Sequence, residues 1–323
     1  MDSQHRKMKA AIISVVSNTI LTIMKLIVGL MIGSVSIMSE AIHSGVDLLA
    51  SLIATFSVRT AGIPADRHHP FGHGKAENIS GTVEALLIFL AAGWIIYESI
   101  TKLLHPKPID SVGWGIGVML VSTLVNIAVS GMLFKVAKET DSIALEADAW
   151  HLRSDVYTSI GVMVSLTVIL ISHRIFSNPD IHWLDPVAAI GVALLIIRAA
   201  YKLTIQSAGD LMDVTLPAEE EMWIRDLIAA HRPVIHGFHR LRTRKAGNFR
   251  FIDFHIKVDP EMSVEDSHNI TDELSKSIEK QFPNSSITVH TEPCDGKCIG
   301  DCLVGCLLPE KERNGVMQRN GKI

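Results

Sequence analysis

Ser39-Glu40-Ala41-Ile42-His43-Ser44-Gly45-Val46-Asp47 and Asp148-Ala149-Trp150-His151-Leu152-Arg153-Ser154-Asp155 carry one pattern twice. Each reads acid, alanine, apolar residue, histidine, and then aspartate four positions after the histidine. Residues four apart share a helix face. Each segment therefore presents an imidazole and a carboxylate in one direction. Both segments lie in apolar stretches long enough to span a bilayer, where an ionisable side chain costs at least about 2.5–3.5 kcal/mol and marks function. Facing each other, His43, Asp47, His151 and Asp155 form a four-ligand N2O2 set. Such a set suits tetrahedral Zn2+, whereas Mg2+ and Ca2+ want more oxygens and no imidazole. The two carboxylates also balance a divalent charge.

Working outward, six stretches reach the roughly 20 residues a hydrocarbon core requires: 9–32, 35–59, 79–104, 112–136, 142–172 and 184–206. The first is too long for a signal peptide and runs straight into the second. The chain has 323 residues, 48% hydrophobic and 20% charged, with a mean hydropathy of +0.29. That balance argues against a cytosolic enzyme, a disordered chain or a coiled coil. The net charge of −4 offers no basic excess for nucleic acid, and 15 histidines in a membrane protein point to metal ions. Arg6, Lys7, Lys9, Arg67, Lys75, Lys135 and Lys138 flank one side of the spans, against Lys102, Lys107 and Arg174 on the other. The bias predicts both termini in the cytoplasm of a multi-pass inner or plasma membrane protein.

The loop after the second span reads Asp66-Arg67-His68-His69-Pro70-Phe71-Gly72-His73-Gly74-Lys75-Ala76-Glu77. Asp66, His69 and His73 can converge on one metal, with His68 as an alternate. The apolar runs end near 206, which divides the chain into a six-helix membrane part (1–206), a soluble part (207–293) and a cysteine-containing polar tail (294–323). The soluble part reads helix, strand, strand, helix, strand. The first helix opens on Pro217 and three glutamates, which suits a helix N-terminus. Strands are expected at 234–245, 249–259 and 285–291, the second with a strict two-residue alternation. A helix over 263–282 starts on Ser263 with Asp266 three residues on. This αββαβ order predicts a small two-layer α+β domain. Cys294, Cys298, Cys302 and Cys306 recur every four residues, either as a helical stripe or as a loop around a metal. Four thiols in a reducing compartment read as a metal site sooner than as disulfides. Residues 307–323 are polar and expected to be disordered.

The paired His-x-x-x-Asp helices, the 66–77 loop, the six spans and the αββαβ region together resemble the cation diffusion facilitator family over residues 8–293. The resemblance implies a homodimeric antiporter that exports a divalent cation in exchange for protons by alternating access. It implies a transport site at His43, Asp47, His151 and Asp155 and a loop site at Asp66, His69 and His73. Some family members carry aspartate at the position of His43. Histidine there leans the reading toward Zn2+, which would be both cargo and structural ion, and away from Cd2+, Fe2+ and Mn2+. Lys75 matches a family lysine that interlocks the dimer, with Asp213 as its partner. The soluble part resembles the family's metallochaperone-like domain, where His239, His255, His268, His290 and Glu292 match positions that hold zinc near the dimer contact. Glu292 stands where aspartate is usual. His231 and His236 match no role and read as surface residues.

Two other classes fit part of the pattern. A membrane sensor would bind metal without moving it, and a transporter of Fe2+, Mn2+, Cd2+ or Co2+ would use the same ligands. A hydrolase needs an open metal position, and four protein ligands fill the site, so the chain reads as a transporter and not an enzyme.

Overall fold

The computed structural model of the chain describes residues 2–32, 35–105, 113–175, 183–298 and 300–320. They form two compact units, divided between Leu211 and Met212. The first unit is six long helices: α1 (Asp2–Ile32), α2 (Val35–Ala61), α3 (Lys75–Leu104), α4 (Gly113–Thr140), α5 (Ile143–Ile175) and α6 (Leu184–Leu211). Five of them are long and apolar enough to cross a membrane. The described part of α5 carries Glu146, Asp148, Arg153 and Asp155, more charge than that measure allows. Lys107 and the expected start of the fourth span at 112 lie outside the described residues.

The helices outrun the apolar stretches. α1 begins at Asp2 rather than 9, and α3 at Lys75 rather than 79. Apolar runs register only the hydrocarbon-crossing part, while the extra turns are held by polar contacts. Lys7 Nζ lies 2.7 Å from Glu77 Oε1, with both side chains buried, and Ser142 Oγ donates to Glu77 Oε2 at 2.5 Å. Removing one member of such a buried pair costs about 3–5 kcal/mol. Arg6 pairs with Glu139 in the same region.

Small residues let the helices approach, as lipid-embedded packing requires. α1 buries Lys7, Ala11, Ser14, Asn18, Leu21 and Lys25 at alternating spacings of four and three, one stripe along the helix. α2 answers with Asp47, Ala50, Ser51 and Ala54. The two run antiparallel: Gln4 Nε2 donates to the Val58 carbonyl at 2.6 Å, and Thr22 Oγ1 to the Ser44 carbonyl at 3.0 Å. α3 packs on α6 through Ala85, Ile88, Ala92, Ala193, Ile196 and Ala200. Asp141, in the left-handed region at φ 54°, turns the chain sharply from α4 into α5.

The second unit runs α7 (Ala218–Ala230), β1 (Gly237–Ala246), β2 (Phe249–Val258), α8 (Val264–Gln281), β3 (Ser285–Pro293), α9 (Asp301–Val304) and α10 (Glu310–Asn320). The sheet order is β1-β2-β3, antiparallel between β1 and β2 and parallel between β2 and β3. The αββαβ order and the alternation of β2 are as expected. Ile252, Phe254, Ile256 and Val258 turn to one face and are covered by Ile224 and Ile228 of α7 and Leu274 and Ile278 of α8. Ser263 caps α8, its Oγ accepting from the Asp266 N–H at 3.0 Å.

The tail departs from the expected disorder. Its backbone is bonded along the free edge of β1: Phe238 N–H donates to the Gly305 carbonyl at 3.0 Å, and Leu307 N–H to the His236 carbonyl at 2.8 Å. Leu307 is buried in the domain core, so 307–320 is part of the folded unit. Polarity misled the reading because a single leucine and an edge-strand backbone anchor the segment. Gly305 makes the approach possible, since a Cβ there would overlap the Phe238 carbonyl oxygen. Gly305→Ala is expected to detach the tail at a cost of about 1–3 kcal/mol, the usual penalty of overpacking. Amide exchange at Phe238 and Leu307 should rise about 5- to 150-fold while α8 is unchanged. Unchanged exchange at both amides would contradict the edge pairing.

Candidate metal centres

α2 and α5 pack together, and the paired motifs meet where they cross. His151 Nε2 lies 3.0 Å from Asp47 Oδ1, and His43 Nε2 lies 3.7 Å from Asp155 Oδ1 and 4.0 Å from Asp47 Oδ1. Ligand atoms of His43, Asp47 and Asp155 all fall within 4.8 Å of one another. Asp47 and His151 are buried, while His43 is half exposed at the rim. The group opens into a cavity of about 500 Å3 whose polar lining includes Ser122, Thr123 and Asn126. His43, Asp47 and Asp155 thus share one ligand space, His151 joins them through Asp47, and all four line the cavity.

The 62–74 loop forms a second cluster. Asp66 Oδ1 accepts the backbone N–H of His69 at 2.7 Å and of His68 at 2.8 Å. Those bonds, the His69 one foremost, hold its carboxyl below the usual range. His69 Nδ1 lies 3.5 Å from Asp66 Oδ1 and His73 Nε2 3.6 Å from Asp66 Oδ2. All three offer ligand atoms within 4.8 Å of one another. His68 contributes its backbone to the turn and lies outside that group. Gly72, at φ 79°, closes the turn that returns His73 to Asp66.

In the second unit His239 and His255 are cross-strand partners, and Glu292 reaches them from β3 on the polar face of the sheet. His255 Nδ1 is 2.7 Å and His239 Nε2 3.5 Å from the Glu292 carboxylate. Lys257 Nζ holds the same carboxylate at 2.7 Å. Partial burial pushes Glu292 up, but the hydrogen bonds from Lys257 and His255 outweigh it and hold the carboxyl at about 2. Burial lowers His239 against the pull of Glu292. His290, exposed, comes within 3.8 Å of Glu292. His268 does not join them. It is exposed on α8, and α8 covers the opposite, apolar face of the sheet. Within the chain Lys75 Nζ donates to the Leu211 carbonyl at 3.2 Å, and Asp213 lies 3.4 Å from Arg244.

The cation efflux transmembrane domain matches residues 11–212, and the cytoplasmic domain of cation efflux proteins matches residues 216–294. The chain belongs to the cation diffusion facilitator family. An uncharacterised transporter of Synechocystis sp. is 35% identical over 263 residues, 81% of this chain and 83% of that one. The cation-efflux pump FieF of Salmonella agona is 31% identical over 286 residues, 88% of this chain and 92% of the pump. The metal-bound C-terminal domain of the CzcD transporter from Thermotoga maritima is 34% identical, covering 24% of this chain and 94% of that domain, with a TM-score of 0.22. The protein is therefore a divalent cation efflux transporter of this family, with a helical membrane domain and a cytoplasmic α+β domain.

The burial of several polar groups escaped the sequence reading. Lys25, inside the first apolar run, is buried and donates to Ser44 Oγ at 2.7 Å, one residue from His43. Glu84 and Asp148 are fully buried in the same helical unit. An ionisable residue within an apolar run was the available signal in each case. His236, read as surface, has its Nδ1 buried without a hydrogen-bond partner among the described residues.

A cation entering the His239, His255 and Glu292 group must displace Lys257 from the carboxylate. Lys257→Met is expected to tighten that group about fivefold, the equivalent of about 1 kcal/mol for a partly exposed ion pair. Residue-resolved protection of His239 and His255 from imidazole-acylating reagent reads it. Half-protection should come at a several-fold lower Zn2+ concentration, and no change would contradict the competition.

Proposed function

We propose that the protein exports Zn2+ in exchange for protons, carrying the ion at His43, Asp47, His151 and Asp155. The observation that supports this most is the meeting of two His-x-x-x-Asp pairs from α2 and α5 beside a cavity that Ser122, Thr123 and Asn126 also line. Two imidazoles and two carboxylates match the donor preference of tetrahedral Zn2+. The loaded set is neutral, whereas the two carboxylates alone bring −2 into low dielectric. An imidazole nitrogen holds a proton or a metal, not both. Loading therefore releases protons on one side, and opening to the proton-rich side returns them and frees the ion. His43, at the rim, is the ligand an arriving ion meets first.

In this reading the protein is a homodimer in the inner membrane with both termini in the cytoplasm, and Lys75 meets Asp213 across the dimer. Asp66, His69 and His73 hold a second Zn2+ in the loop. His239, His255 and Glu292 hold a further ion in the cytoplasmic domain, with His290 beside them. A ligand role for His268 requires a second copy of the chain.

Proteoliposomes with an imposed pH gradient test the transport reading. Wild-type protein should drive Zn2+ flux that collapses with the gradient. Asp47→Ala or Asp155→Ala leaves the loaded site at +1, and flux should fall to that of protein-free vesicles while the protein still inserts and dimerises. Wild-type flux in either variant would overturn the site, and metal binding without flux in the wild type would favour a sensor.

His43→Asp replaces an imidazole with a hard, negative oxygen donor. The ratio of Zn2+ to Mn2+ or Cd2+ flux should fall several-fold in this variant. An unchanged ratio would count against His43 as a ligand.

A further inference from the structure

The tail of the cytoplasmic domain folds Cys294, Cys298, Cys302 and Cys306 around one pocket against β1. None is in a disulfide; Cys294 is buried and the other three are half-buried. The fold of the segment is specific rather than incidental. Cys294 N–H donates to the Val258 carbonyl at 2.8 Å, which fixes the segment's start beside the end of β2. Gly296, at φ 70°, brings the chain against the backbone of Val316 and Met317 in α10, where a Cβ would be crowded. Gly305 seats the segment's end on Phe238, and Cys306 bridges to Gly237 on the edge of β1. Both ends of the cysteine segment are thus pinned to the sheet, and the thiols between them face a common space.

We infer that this pocket is a thiolate site for a soft divalent cation of the Zn2+ or Cd2+ class, with its own sulfur donors, beside the cytoplasmic cluster whose His239 also lines it. Three observations carry it. Four sulfur donors match the coordination number of a closed tetrahedral site. His236 lines the same pocket with its buried Nδ1 unpartnered among the described residues, a polar atom that a bound ion or its ligands would satisfy. Lys257 and Arg313 also line it. Binding one divalent ion to four thiols releases four protons to solvent and leaves the site at −2, a charge these two cations offset. The sulfurs do not all lie within 4.8 Å of one another, so binding draws them together by side-chain rotation within a segment already anchored at both ends. Loading would cross-link the end of β3 to the edge of β1.

The full-length protein, reduced and stripped of metal, is titrated with Cd2+ and followed by thiolate-to-metal charge-transfer absorption in the near ultraviolet. Histidine and carboxylate clusters give no such band, which separates this site from the others. The expected result is a band whose limiting height, once added Cd2+ fills every site, is that of one tetrathiolate Cd2+ per chain, absent in Cys298→Ser/Cys302→Ser, a variant that retains Zn2+ flux. Both substituted positions are half-buried rather than core, and the wild type supplies a readout that needs no substitution. Iodoacetamide should label the cysteines without Cd2+ and be blocked once the band is saturated, as counted by intact mass. No band in the wild type, an equal band in the variant, or labelling indifferent to Cd2+ would overturn the site.

Discussion

A carboxylate placed in hydrocarbon must be matched, and Asp47 is matched by His151 at 3.0 Å. That contact ties α2 to α5, and the neighbouring helices accommodate it. Ser44, one turn before Asp47, is held by Lys25 of α1. The buried stripe of α1 is polar at Lys7, Ser14, Asn18 and Lys25, unlike a helix that packs only on apolar neighbours. Buried alanines and serines on α2 let its backbone approach its neighbours. Insertion of the two motif aspartates alone costs about 5–7 kcal/mol on translocon scales. His151 satisfies Asp47, while Asp155 Oδ2 is buried without a hydrogen-bond partner among the described residues.

The cytoplasmic unit divides its labour by face. One side of the sheet is apolar and buried beneath α7 and α8. The other carries His239, His255, Lys257 and Glu292 in adjacent strands, where cross-strand pairing brings donors from distant parts of the sequence within bonding distance. The parallel pairing of β2 with β3 sets His255 beside His290 and Lys257 beside Glu292. The edge of β1, which would otherwise present unpaired backbone, is covered in part by the tail.

Much of this was legible in the sequence where periodicity and chemistry coincide. The alternation of Ile252, Phe254, Ile256 and Val258 with His255 and Lys257 gave both the strand and its two faces. The four-residue spacing of His43 with Asp47 and of His151 with Asp155 gave a shared face on each helix. What escaped depended on tertiary partners. Lys7 and Glu77 extend α1 and α3 beyond their apolar runs by pairing with each other, a contact no local window contains. Lys25 hid in an apolar run because its partner is on another helix. His268 falls on the helix layer, away from the histidines it was grouped with, because α8 covers the opposite side of the sheet. The tail looked disordered because its anchors are backbone bonds and Leu307, which composition underweights.

One ion held by two imidazoles and two carboxylates from α2 and α5, as proposed, would carry a distinct X-ray signature. X-ray absorption at the zinc edge tests it directly, on full-length protein in which the loop and cytoplasmic histidines are replaced and the cysteines are changed to serine. The account predicts one Zn2+ per chain with four nitrogen or oxygen neighbours at about 2.0–2.1 Å, two of them showing imidazole multiple scattering. A first shell without imidazole, or no retained Zn2+, would contradict it.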